Sequence, residues 1–299
     1  MILRLGDRRI ELAEGAPLVM GIVNIGADSV ADPLRLRSLD EQLEQARQQR
    51  AAGADIIDVG VQSGRTDTPI ISEQEELERL VPLVAALAVE GATVSVDAWR
   101  PAVIEAAVDA GATLINDVSG LADERLADIA ARSGAGLVLM HTRAAPKEER
   151  FPGYDDVVAD VRSFLAERSA TAIAHGVPSE QIVLDPGLDF AKTPAESIAV
   201  LHRLGELRDL GHPILLAVSR KYFVGMLTAK EPLGRLPGTL AAVGHGVNLG
   251  AQIVRVHDVA AVSEYLAVRH ALLADGEPGM KGDAGAATLK WLEPKDLSG

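Results

Sequence analysis

Leu18-Val19-Met20-Gly21-Ile22-Val23-Asn24 is the first of eight short apolar runs along this chain, each stopping at or beside polar residues. The others are Asp55–Val59, Thr93–Asp97, Thr113–Asp117, Gly136–His141, Ile182–Asp185, Ile214–Ser219 and Ile253–His257. A continuous Val/Ile/Leu run of this length suits a parallel strand buried on both faces. The segments joining the runs look helical. Ser38 with Glu41 and Ser72 with Glu75 match capping boxes, and Gly53, Gly91, Gly111, Gly134, Gly176, Gly211 and Gly250 stand where each helix returns to a strand. Eight strand–helix alternations predict an α/β fold, a (β/α)8 TIM barrel, with chemistry at the C-terminal strand ends. A doubly wound open sheet is the rival, but no glycine-rich phosphate loop follows the first run.

The flanks fit that division. Residues 1–15 read as a hairpin turning at Gly6–Asp7 and covering the lower mouth, 16–275 as the barrel, and 276–299, which holds Trp291, as a tail. Long irregular stretches are expected after four strands, at Ile25–Arg37, Val61–Ile71, Thr142–Tyr154 and Lys221–Pro237.

The chain has 299 residues and no cysteine, which excludes disulfides and thiolate metal sites and suits a reducing cytoplasm. No apolar run approaches the roughly 18 residues that span a bilayer, and Arg4, Asp7, Arg8 and Arg9 interrupt any secretion signal. A cytoplasmic protein without membrane partners is expected. The net charge of −14 argues against a nucleic-acid binder. It also means that an anionic substrate needs a local cluster of cations.

The strand ends place Asn24, Asp58, Asp97, Asn116, His141, Asp185, Ser219, Lys221, Arg255 and His257 on one ring. Asp97, Asn116 and Asp185 suit a flat nitrogen heterocycle, because carboxylates accept N–H pairs and an amide both donates and accepts. The bland alternative makes Asp97 a helix cap before Pro101 and Asn116–Asp117 a turn former. Arg255 and His257, two residues apart, project together. With Asn24 across the closure they form a compact anion site, where barrels often bind phosphate. The competing reading pairs Arg255 with a neighbouring acid and merely packs His257. Neither His-x-x-x-His nor Glu-x-x-His occurs, which argues against zinc or di-iron. Asn24 and a diphosphate could share Mg2+. His141 reads as a satisfied core histidine, and no Ser or Lys has an obvious activating partner.

These segments, together with Asp58-Val59-Gly60 followed by Ser63 and Arg65, Leu184-Asp185-Pro186-Gly187, Ser219-Arg220-Lys221 and Arg255-Val256-His257-Asp258, resemble the dihydropteroate synthase family in order from about Leu18 to Val259. The resemblance implies a condensation of 6-hydroxymethyl-7,8-dihydropterin diphosphate with 4-aminobenzoate, releasing diphosphate. It implies pterin contacts from Asp97, Asn116, Asp185 and Lys221, and diphosphate contacts from Asn24, Arg65, Arg255 and His257, with Mg2+ at Asn24. Phe190, Ser219 and the Lys221 stem would meet the aminobenzoate. Asp185, Lys221 and Arg65 carry the catalytic expectation, and a homodimer is implied as well.

The chain departs from the family pattern in its loops. Gly26, Ala27 and Val30 replace the usual Thr-Pro and Phe around Asp28-Ser29. Val61, Gln62, Gly64 and Thr66 alter the second loop, and Asp189-Phe190-Ala191-Lys192 stands where Gly-Phe-Gly-Lys is usual. Asp189 beside Phe190 would repel a benzoate unless paired, and Lys192 is the nearby candidate partner. Two alternatives follow: a paralogue that binds a pterin without condensing it, and a pterin-binding methyltransferase, which has little use for the diphosphate residues.

Overall fold

Eight parallel strands close on themselves in a computed structural model that describes residues 1–26, 38–62 and 70–273. A two-stranded hairpin, β1 (Ile2–Leu5) and β2 (Arg8–Glu11), comes first. The barrel strands are β3 (Leu18–Asn24), β4 (Ile56–Gly60), β5 (Val94–Asp97), β6 (Leu114–Asp117), β7 (Gly136–Met140), β8 (Ile182–Asp185), β9 (Ile214–Ala217) and β10 (Ala251–Val256). They follow sequence order around the ring, with β10 closing onto β3. Arg65, the loop residues 27–37 and 63–69, and the tail with Trp291 lie outside the described residues.

The outer layer holds α1 (Leu39–Ala51), α2 (Glu73–Val89), α3 (Pro101–Asp109), α4 (Arg125–Ser133), α5 (Val157–Ala174), α6 (Pro194–His202), α7 (Tyr222–Thr228), α8 (Leu236–Asn248) and α9 (Val259–Leu273). Ser38 and Glu41 form the full reciprocal capping box. Ser72 accepts from the Glu75 amide, but the Glu75 side chain turns to Arg79 instead of reaching back. All seven helix-ending glycines have positive φ, the left-handed geometry that ties off helix carbonyls and that a Cβ disfavours. The stretch Lys221–Pro237, expected to be irregular, instead carries α7 and a 3-10 turn at Pro232–Gly234. A seven-residue helix with Gly225 at its middle offers too few turns for a readable apolar stripe.

The core has two parts. One fills the space between the strands and the helix ring; the other lies inside the barrel. Met20, Ile56, Leu114, Val138, Val183, Leu215 and Ile253 fill the lower interior, and Leu3 and Leu5 of the hairpin plug it from below with no exposed surface. Each fully buried leucine stabilises by about 1.5–3 kcal/mol. The apolar floor leaves one open end for polar groups, the end where the strands stop. Among the described residues no helix is long and apolar enough to cross a membrane.

Candidate active site

Strand register sets the site. Asn24 pairs with Gly60, Gly60 with Asp97, and Asp97 with Asn116, so these four lie side by side around the rim. Gly60 leaves that level open, since a Cβ there would lie 3.2 Å from the Asp97 Cβ. Asp58 sits one pleat deeper on the same face.

Arg255 reaches across the mouth from β10. Its Nε donates to Asp58 Oδ2 at 2.6 Å and its Nη2 to Asp97 Oδ2 at 2.7 Å. Asn116 Nδ2 also donates to Asp58 Oδ2, at 3.1 Å. The reading that pairs Arg255 with neighbouring acids therefore describes its contacts in this structure. Burial, helped by the Asp58 charge and opposed by Arg255, pushes the Asp97 carboxyl up to about 7. One oxygen each of Asp58 and Asp97 is buried without a hydrogen-bond partner among the described residues. Two unsatisfied acceptors in one buried mouth call for N–H donors from a ligand, because a buried polar group left unpaired costs about 1–3 kcal/mol. Asp58 is the residue whose weight the sequence reading missed. Its signal was a carboxylate inside an otherwise apolar strand, Ile56-Ile57-Asp58-Val59.

Asp185 ends β8 and is buried. Its Oδ1 accepts the Gly187 amide at 2.7 Å, while burial raises its pKa against that bond and Lys221. Gly187 is obligatory here: φ is +63°, and a Cβ would overlap the His141 carbonyl oxygen. Asn116 faces the mouth, whereas Asp117 shapes a turn, accepting from the Ser119 amide and hydroxyl and the Leu121 amide. The turn-former reading thus holds for Asp117 and not for Asn116.

Lys221 caps α7, donates to the Leu188 carbonyl at 2.7 Å and lies 4.6 Å over the Phe190 ring. Burial lowers its pKa, and the Asp189 and Asp185 charges oppose that fall. The Ser219 hydroxyl meets the His257 amide and Nδ1 at 3.1 and 3.0 Å, so it serves the β10 turn first. Burial and the surrounding guanidinium and ammonium groups hold His257 down to about 3. It therefore enters as a neutral imidazole, able to donate one hydrogen bond but adding no charge to the anion site. Arg220 pairs with Asp258 at 2.7 Å, and Arg235 donates to the Arg220 and Lys221 carbonyls, a brace unforeseen from sequence.

His141 is the satisfied core histidine expected: Nε2 lies 2.9 Å from Asp160 and Nδ1 2.7 Å from Lys192 Nζ. Lys192 does not pair with Asp189. It turns inward and donates to the carbonyls of Gly187 at 2.9 Å and Phe190 at 3.1 Å. Asp189 turns the other way and accepts the Tyr222 amide at 2.5 Å. Their opposite directions reflect the positive φ of Asp189 and Ala191, which coil the loop around Phe190. Asn24 is half-buried at the end of β3. No group of three or more metal-ligating side chains occurs among the described residues.

With this geometry in view, the chain compares closely with known proteins. Residues 20–257 match the model of the family described as pterin binding enzyme. The chain is 40% identical over 261 residues to dihydropteroate synthase of Bacillus subtilis (strain 168), covering 87% of this chain and 90% of that one. The crystal structure of dihydropteroate synthase from Thermus thermophilus in complex with 4-aminobenzoate superposes with a TM-score of 0.82 at 40% identity, covering 91% of this chain and 100% of that one. The Xanthomonas albilineans enzyme in complex with 7,8-dihydropteroate gives 0.80 at 35% identity, with 91% and 99% covered. The chain belongs to the dihydropteroate synthase family of pterin-binding enzymes.

Proposed function

We propose that this chain is a transferase of folate biosynthesis that condenses 6-hydroxymethyl-7,8-dihydropterin diphosphate with 4-aminobenzoate and releases diphosphate. The observation that carries this reading is the pair of unsatisfied carboxylate oxygens, on Asp58 and Asp97, within the rim that also holds Asn116, Asp185 and Lys221. A pterin ring offers the N–H donors those oxygens need. Lys221 and the Asp185 oxygen not bonded to Gly187 take opposite roles, one donating to the ring and one accepting from it.

The arylamine nitrogen attacks the methylene next to the ring, the carbon–oxygen bond to the diphosphate breaks, and the amine proton is lost. No strong base is required. The barrier falls when the charge developing on the leaving oxygens is stabilised. Arg255, an ammonium on Lys221 and a donor N–H on neutral His257 supply that stabilisation, with Asn24 on the neighbouring strand β3. Transfer of Arg255 from the acids to the diphosphate is matched by pterin N–H groups taking its place on Asp58 and Asp97.

The donor set fits Mg2+, since this ion takes few protein ligands and completes its shell with phosphate oxygens and water. Asn24 is the protein ligand we assign, and bound Mg2+ would neutralise leaving-group charge. Phe190, Ser219 and the Lys221 stem form the arylamine side. A cytoplasmic homodimer completes the reading; light scattering tests the dimer.

Purified protein with Mg2+ is expected to release diphosphate from the pterin substrate when 4-aminobenzoate is supplied and not in the absence of an arylamine acceptor, with dihydropteroate appearing in equal amount. Pterin binding without product at saturating substrates would instead support the non-condensing paralogue.

A further inference from the structure

Asp189 and Ala191, at φ +64° and +49°, bracket Phe190 in the left-handed region. A side chain there is strained and persists where its surroundings over-determine it. For Asp189 those surroundings are explicit. Oδ2 accepts the Tyr222 amide at 2.5 Å, and its own amide donates to Ser197 Oγ at 3.0 Å. Its charge, with those of Asp185 and Asp97, opposes the fall that burial imposes on the Lys221 pKa. Lys221 in turn lies over the Phe190 ring. The second oxygen of Asp189 is buried without a hydrogen-bond partner among the described residues.

One carboxylate therefore occupies the Tyr222 amide, the backbone donor next to Lys221. An anion entering there meets an amide already bonded, a lysine already committed to the Leu188 carbonyl, and the charge of a carboxylate. Like charges in a partly buried pocket repel with little screening. An uncharged polar group meets no such barrier.

We propose that Asp189 is a specificity-determining residue of the arylamine pocket: it stands in for the acceptor's own carboxylate and admits arylamines with an uncharged para substituent. The proposal rests on the condensation reading only in placing the acceptor beside Phe190. Its test compares kcat/KM for 4-aminobenzoate and 4-aminobenzamide in wild-type protein, Asp189→Asn and Asp189→Gly. Asn keeps an oxygen for the Tyr222 amide and removes the charge; Gly also vacates the amide and relieves the backbone.

Wild type is expected to use both acceptors with similar kcat/KM. The benzoate-to-benzamide ratio should rise several-fold in Asp189→Asn and at least tenfold in Asp189→Gly, through the KM of the benzoate, while the KM for pterin diphosphate stays put. An unchanged ratio, or a parallel loss for both acceptors, overturns the proposal, because a purely structural latch would slow both alike. If wild type turns over neither acceptor, the condensation reading fails. Calorimetric titration of the two arylamines into protein holding inorganic diphosphate then decides. A ratio of affinities unaltered in Asp189→Gly, or no binding of either arylamine, overturns the proposal on its own.

Discussion

Arg255→Met offers the sharpest test of how the mouth is held together. The substitution keeps most of the stem and removes the guanidinium that bridges Asp58 at 2.6 Å and Asp97 at 2.7 Å. Asp58 has no exposed surface and Asp97 little, so neither carboxylate can recover its lost partner from water. Removing one member of a buried ion pair leaves uncompensated charge and costs about 3–5 kcal/mol. At the lower end of the usual 2–4 °C per kcal/mol, suited to a long chain, the thermal midpoint should fall by about 6–10 °C.

The loss should also depend on pH. Asp97 already titrates near 7 because burial disfavours its charge. Without Arg255 its pKa rises further above the roughly 3.9 of an unfolded aspartate. The folded variant then holds more protons than the unfolded chain, so its stability falls as pH rises. In wild type this group's contribution levels off above about pH 7–8, whereas the variant keeps losing up to about 1.4 kcal/mol per pH unit beyond that. Urea or thermal melts near pH 6 and near pH 8.5 measure both slopes. A deficit under about 1 kcal/mol near pH 8.5, or one equal at the two pH values, would refute the claim that Arg255 carries these two acids.

Three further outcomes are expected. If Asp185 accepts from the pterin ring as proposed, Asp185→Asn should cost about tenfold to a hundredfold in pterin affinity or turnover; wild-type values in both would mean that the ring is misplaced. Arg255→Ala should weaken diphosphate-bearing ligands far more than the bare pterin, measured by calorimetry, and equal losses would remove Arg255 from the anion site. Lys192→Met strips the Gly187 and Phe190 carbonyls of their donor and should destabilise by about 2–4 kcal/mol. Burial holds the folded Lys192 down to about 7, so between about pH 7 and 10 the unfolded chain binds more protons and wild-type stability rises with pH. That rise should be smaller in Lys192→Met, and an identical pH slope would show that Lys192 does not titrate in its pocket.

Much of this molecule is local chemistry, and local chemistry is legible along a chain. Runs such as Ile56-Ile57-Asp58-Val59 declare strands buried on both faces, and Ser38 with Glu41 declares a helix start. Gly134 and Gly176 stop helices because their backbone conformation is one that side chains resist. The rim residues Asp97, Asn116, Asp185 and Lys221 could be named for the same reason: each ends or follows a strand, and barrel strands end at one face. The short α7, with Gly225 at its middle, escaped because it lacks the periodic stripe that a longer helix shows.

What the order of residues determined alone is therefore the succession of strands and helices, and with it the barrel and the face where its polar ends meet. Partnership within that face was decided by closure. Arg255 meets Asp58 across 197 residues and Asp97 across 158, and the geometry that joins them exists only once β10 has paired with β3. The same holds for Lys192 and Asp189, three residues apart and expected to pair. Positive φ at Asp189 and Ala191 sends one ammonium down onto His141 and two carbonyls, and one carboxylate across to Tyr222. Spacing along a chain states which groups are near; only the packed backbone sets their directions, and a hydrogen bond depends on direction as steeply as on distance.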